Sequence, residues 1–342
     1  MTKTAFSYGF LLVLALVLAL AHSCQEDEPT GPTPFVLEVP PHFPQPEIPA
    51  NNTLTAERVA LGKKLFFEKA LSRDSSLSCA SCHPQHLAFA DDNAISIGVK
   101  DRMGFRNVPT LTNVAYHPYF FREGGSPTLE AQVLGPICNF DEMGFNAREL
   151  ANRLKTDETY ETLAQEAYGR SIDLWVVTRA IAAYERTMIS GNSRWDQYYL
   201  GDENALTESE KRGWELFSSE RAACTQCHSG FDFSDYSFQN IGTHQEYKDL
   251  GRARVTVDSA DIGKFKVPTL RNVELTGPYM HDGSFTSLEE VVAFLSQGGV
   301  GHFNQSEYVK PLNFTSQEQT DLVNFLKSLT DHDFVTDPAF RE

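Results

Sequence analysis

The chain has 342 residues, 41% of them hydrophobic, and a formal net charge of −17. That length allows two domains with full cores, and the excess of acid excludes nucleic acid and anionic lipid as natural partners, since both would be repelled. Four of the six cysteines fall in two short motifs, and the remaining pair, Cys24 and Cys138, does not suggest a disulfide framework.

Residues 1–23 read as a secretory signal, with Lys3 ahead of an apolar run from Phe10 to Ala21 that is too short to span a bilayer comfortably. Small residues then precede Cys24, and Gln25-Glu26-Asp27-Glu28 follows, the layout of a bacterial lipoprotein cleavage site. The expectation is an exported protein, periplasmic or held at the outer membrane of a Gram-negative bacterium by a lipid on Cys24. Residues 24–54 are rich in proline and predict an extended tether. Thr55-Ala56-Glu57-Arg58 opens a helix whose apolar face is Val59, Leu61, Leu65 and Phe66.

That helix leads into Cys79-Ala80-Ser81-Cys82-His83, and a second Cys-x-x-Cys-His run follows at Cys224, Cys227 and His228. Two thiols at this spacing can form thioethers with both vinyl groups of one porphyrin, and the adjacent imidazole then falls under the iron. A single zinc site built from the four thiols would leave both trailing histidines without a role. Two covalent c-type haems are therefore expected, with His83 and His228 as iron ligands.

The chain also repeats itself. Val108-Pro109-Thr110-Leu111-Thr112-Asn113-Val114 returns 159 residues later as Val267-Pro268-Thr269-Leu270-Arg271-Asn272-Val273, and Gly124, Leu129, Glu130 and Val133 recur at the same offset. A Gly-x-x-Leu-Phe helix precedes each haem motif, from Gly62 and from Gly213. Helical periodicity over 147–200 predicts helices bridging the two copies, and Ser316-Gln317-Glu318-Gln319 predicts the capped start of a closing helix. Trp175, Trp195 and Trp214 fall in helical stretches and are expected in the core, as is Cys138. The fold class that follows is mainly α: two cytochrome c-like haem domains related by duplication, residues 55–200 and 201–342.

Over residues 55–335 the chain resembles the bacterial di-haem cytochrome c peroxidase family, whose relatives include the di-haem enzyme that matures methylamine dehydrogenase. The marks are Leu61-Gly62-Lys63-Lys64-Leu65-Phe66-Phe67, both haem motifs, Gly135-Pro136 with Glu142-Met143, and Gly277-Pro278-Tyr279-Met280-His281-Asp282-Gly283. The resemblance implies that peroxide reacts at the N-terminal haem and that the C-terminal haem relays electrons from a small cytochrome c or cupredoxin. It assigns Glu142 as the distal acid and base, with Gln132 and Pro136 beside it. It further implies a calcium ion between the domains at Asn107, Thr276 and Pro278, and a homodimer.

Three positions depart from the family. Val99 stands where the peroxidases carry a histidine that closes the resting N-terminal haem, so that haem is expected to be open. Leu295 stands where a methionine or tyrosine would ligate the C-terminal iron, leaving Met280, His281 and His302 as candidate ligands. Arg122 replaces the tryptophan between the haems, leaving direct tunnelling or a ring such as Phe121 or Tyr119 to carry electrons. The expected activity is reduction of hydrogen peroxide to water. The alternatives are a di-haem oxidase acting on a protein or organic substrate through a ferryl state, and a non-catalytic electron carrier.

Overall fold

Thr55 opens helix α1 (Ala56–Phe67), its hydroxyl accepting from the Arg58 amide at 3.3 Å, as the sequence predicts. This helix is the first of a series in the computed structural model, which describes residues 31–342 and gathers Pro34–Glu342 into one unit. The apolar run, Cys24 and the start of the expected tether lie outside the described residues.

The first haem motif forms the short α2 (Cys79–Cys82), and β1 (Ile97–Gly98) pairs antiparallel with β2 (Arg102–Met103). Then come α3 (Leu129–Cys138), α4 (Ala147–Leu154), α5 (Glu158–Tyr168) and α6 (Leu174–Glu185). The second half contains α7 (Arg194–Tyr199), α8 (Glu208–Phe217), β3 (Phe238–Gln239), α9 (Ala253–Thr256) and β4 (Phe265–Lys266), which pairs antiparallel with β3. It closes with α10 (Leu288–Gln297) and α11 (Ser316–Lys327). The mainly α expectation is met.

Each half is built on one close helix crossing. In α1, a Cβ on Gly62 would stand 1.9 Å from the Ala180 carbonyl oxygen of α6, and in α8 one on Gly213 would stand 2.0 Å from the Asp321 carbonyl oxygen of α11. Glycine costs about 0.5–1 kcal/mol against alanine inside a helix, and here the side chain it lacks is what lets two backbones touch. So α6, expected as a bridge, is the N-terminal counterpart of α11. The repeat holds beyond the helices: Asn113 and Asn272 both take the left-handed conformation, at φ 57° and 59°. Each donates its amide to a backbone carbonyl just beyond its crossing helix, that of Met188 at 2.9 Å and that of Leu329 at 3.1 Å.

Five expectations need correction. The later part of the tether is extended but docked: Phe43 is buried against Phe231, His42 Nε2 donates to Asp196 at 2.8 Å, and buried Asn52 donates to Glu130 at 2.7 Å. The C-terminal residues do not stay with the second half, because Phe334, Val335 and Phe340 join Phe66, Phe89 and Tyr184 in one apolar cluster of the first half. The cap of α11 is Thr315 with Glu318, one residue before the predicted start. Cys138 is exposed, since it ends α3 on the side away from buried Val133 and Ile137, and Trp175 lies on the surface under the Arg179 guanidinium, whereas Trp195 is buried.

Candidate active site

Both histidines of the Cys-x-x-Cys-His runs are set the same way. His83 Nδ1 lies 2.6 Å from the carbonyl oxygen of Phe89, and His228 Nδ1 lies 2.9 Å from that of Phe233. A carbonyl only accepts, so Nδ1 carries the proton and the Nε2 lone pair is left free for a metal. Burial lowers both pKa values, keeping the rings neutral and able to ligate. The two carbonyls are aimed by the same device, since Phe89 (φ 59°) and Phe233 (φ 50°) both turn through the left-handed region.

Beside His83, Cys79 and Cys82 opens a cavity of about 510 Å³ that Gln132, Pro136 and Glu142 also line. Helix α3 brings Gln132 and Pro136 there, one turn apart, and the turn after it brings Glu142. Asn139 Nδ2 donates to Glu142 Oε1 at 2.7 Å, which fixes the carboxyl, while burial raises its pKa. These six residues, singled out from sequence, are therefore brought together. The cavity, the paired thiols and the free Nε2 of His83 fit a covalently held haem.

Val99 does not border the cavity. It is 1% exposed, packed on Gly144, and its amide donates to the Glu142 carbonyl at 2.8 Å. A Cβ on Gly98 would stand 2.1 Å from the Asp141 carbonyl oxygen, so this loop is docked tightly behind the distal turn.

In the second half Leu295 lies on α10, the counterpart of α3, and is partly buried. Of the candidate ligands, His302 holds Asn304 Oδ1 at 2.6 Å and Asn240 at 3.0 Å through Nδ1. His281 stacks on Phe265 with ring centroids 4.1 Å apart, and its ligand atoms lie within 4.8 Å of those of His244 and Asp282. Met280 is partly buried at φ 75°.

Asn107 is 3% exposed, and both of its oxygens are occupied: Arg122 Nε donates to its carbonyl at 3.0 Å and Nη2 to its Oδ1 at 2.6 Å. The Thr276 hydroxyl donates to the Val273 carbonyl at 3.3 Å. Thr276 and Pro278 do not line the cavity that Asn107 and Arg122 border. A calcium ion on Asn107 does not fit this arrangement, because a guanidinium already holds the oxygens it would use.

Sequence reasoning missed three groups around the cavity. Glu185 of α6 is 5% exposed with Oε2 unpartnered, and burial raises its pKa to about 8. His117 and Lys266, from opposite halves, meet at 3.1 Å between Nδ1 and Nζ, and burial lowers the Lys266 pKa to about 7. No motif marks them; only their position facing the cavity does.

Two cytochrome c-like halves, each presenting a paired-thiol and imidazole site, one of them with a distal carboxyl, define a di-haem c-type oxidoreductase. The chain belongs to the di-haem cytochrome c peroxidase family. The family model described as "Di-haem cytochrome c peroxidase" matches residues 56–204. The methylamine utilization protein MauG of Methylorubrum extorquens is 39% identical over 82% of this chain and 80% of its own length. Cytochrome c551 peroxidase of Nitrosomonas europaea is 34% identical over 80% of both chains. Among solved structures, a MauG-like protein associated with microbial copper homeostasis superposes with a TM-score of 0.85 at 33% identity, covering 90% of this chain and 99% of that one.

Proposed function

We infer that this chain is a peroxidase that reduces hydrogen peroxide to two waters with two electrons and two protons, the electrons coming from a small redox protein. The observation that carries it is the Glu142 carboxyl, held by Asn139 across one cavity from a histidine with a free Nε2. A haem held by Cys79 and Cys82, with His83 as its iron ligand, would supply the redox chemistry at that cavity. Glu142 Oε2, which Asn139 leaves free, is placed to take a proton from one peroxide oxygen and return it to the other. Burial raises the carboxyl pKa, which makes the group a better base and keeps the proton on it long enough to be passed on. Gln132, with both donor and acceptor atoms, orients peroxide, and Pro136 presents an apolar wall that excludes water. Because Val99 offers no ligand, the N-terminal site is open without prior reduction.

His228 holds the relay haem, and a small cytochrome c or cupredoxin with a basic patch is the donor suited to a chain of net charge −17. The N-terminal sequence supports export and a lipid on Cys24, and no helix among the described residues is long and apolar enough to cross a membrane. The division into residues 55–200 and 201–342 is proposed for the haem-bearing cores, with the final residues lent to the first.

The test is turnover of hydrogen peroxide by the purified holoprotein with a reduced cytochrome c or cupredoxin. Steady oxidation of the donor at two equivalents per peroxide is expected, whereas a protein indifferent to peroxide in both its oxidised and half-reduced states overturns the reading. The buried docking of Val99 also favours a second reading, an oxidase that draws electrons from a protein partner through an always-open site. Oxidation of a partner's side chains, with no turnover of small redox donors, would select it.

A further inference from the structure

The calcium expected between the halves meets a residue the family pattern does not lead one to expect there. We propose that the Arg122 guanidinium occupies the Asn107 oxygens an interdomain divalent cation would use, so that the seam between the two haem-bearing halves is held without calcium.

Calcium prefers neutral and anionic oxygens, backbone carbonyls and amide side chains among them, at about 2.3–2.6 Å. Arg122 takes those same oxygens of Asn107, at 3.0 Å from Nε and 2.6 Å from Nη2. An ion bound to both would press against the guanidinium nitrogens, two cations on one pair of acceptors. Among the described residues Arg122 makes no ion pair within 4.0 Å. Its neighbour Arg106 repels it but is itself paired with Glu123 and Asp249, and Asp282 attracts it from further off. Burial brings the Arg122 pKa down only to about 10, so the charge stays at neutral pH.

Across the seam itself the bonds are made by the backbone around Arg122. Its own carbonyl accepts the Lys266 amide of β4 at 2.6 Å, and the Asn107 amide donates to the His281 carbonyl at 2.9 Å. Arg252 closes the seam from the second half by donating to the carbonyls of Glu123 and Gly124 at 2.9 and 3.1 Å. Asn107 leads directly into Val108-Pro109-Thr110, which lines the cavity with Glu142. A covalently attached cation cannot dissociate, so no chelator or dilution can loosen this loop.

The holoprotein is purified without added metal, its calcium content is measured by elemental analysis, and melting temperature and visible haem spectrum are followed with EGTA and with millimolar calcium chloride. Wild type is expected to hold far less than one calcium per chain and to respond to neither addition. Arg122→Gln is expected to melt lower and to gain a calcium-dependent rise in melting temperature, while Arg122→Lys keeps the charge and stays indifferent. One tightly held calcium per wild-type chain, or loss of stability on chelation, overturns the proposal, as does an Arg122→Gln protein that folds and ignores calcium. If Arg122→Gln does not fold, the calcium content and chelator response of wild type decide alone. None of these readouts depends on peroxide turnover, so the proposal can fail while the peroxidase reading stands.

Discussion

The two halves share a scaffold and differ in the side chains carried by their matched helices α3 and α10. Both cross two helices at a glycine, both tie the histidine Nδ1 to a carbonyl turned by a left-handed phenylalanine, and both anchor an asparagine beyond the crossing. Helices α3 and α10 are ten residues each and stand 159 residues apart, so Gln132 and Pro136 on one correspond to Val291 and Leu295 on the other. After α3 comes Glu142; 159 residues on, its counterpart position after α10 is Gly301, and the first carboxylate of that loop is Glu307. One duplicated frame thus carries a carboxyl at this position in one half and a glycine in the other. The difference lies in a few distal side chains, not in the fold.

The largest effect is expected from erasing that difference. Glu142→Gln leaves the Asn139 contact available but removes the base, and kcat/KM for peroxide should fall by about 10²–10⁴ with the haem content unchanged. In wild type the same group sets the acid limb. Because its folded pKa is raised, the base form is lost as pH drops through that raised value, and kcat/KM should fall at a pH above the ordinary glutamate range. An acid limb that survives in Glu142→Gln would place the titrating group elsewhere.

The shared scaffold is broken next. Gly62→Ala and Gly213→Ala each drive a methyl into a carbonyl, and each should cost about 1–3 kcal/mol in chemical denaturation. Similar losses would confirm that the crossings are equivalent; loss at one alone would mean that the duplication is no longer mechanical. The C-terminal distal side is probed by Leu295→Met. A methionine on α10 should convert the second haem to a low-spin state with a higher reduction potential, while the first haem's spectrum does not move.

A pH-dependent effect sharpens the comparison at the cavity wall. Glu185 has a folded pKa of about 8 against an ordinary 4.5, so the folded chain holds a proton that the unfolded chain has released. Its contribution to stability is present at low pH and is lost as pH rises from about 4.5 to about 8. Glu185→Gln should flatten that slope in melts taken across this window, and an unchanged slope would show that the carboxyl is ionised in place.

Much of the site was legible because its chemistry is local. Two cysteines and a histidine within five residues state haem attachment, Thr55 states where α1 begins, and a repeat held at one offset states the duplication. Gln132, Pro136 and Glu142 became legible only through family resemblance, since a lone glutamate has no periodic signature. What sequence could not give is the set of contacts between segments far apart in the chain: His42 on Asp196, Phe334 and Phe340 against the first half, His117 on Lys266, Arg122 on Asn107. Periodicity and capping act over a turn or two of backbone and so can be read from neighbours. The paths of loops, which decide which buried charge meets which oxygen, are set by the packing of the whole chain, and only the tertiary structure decided them.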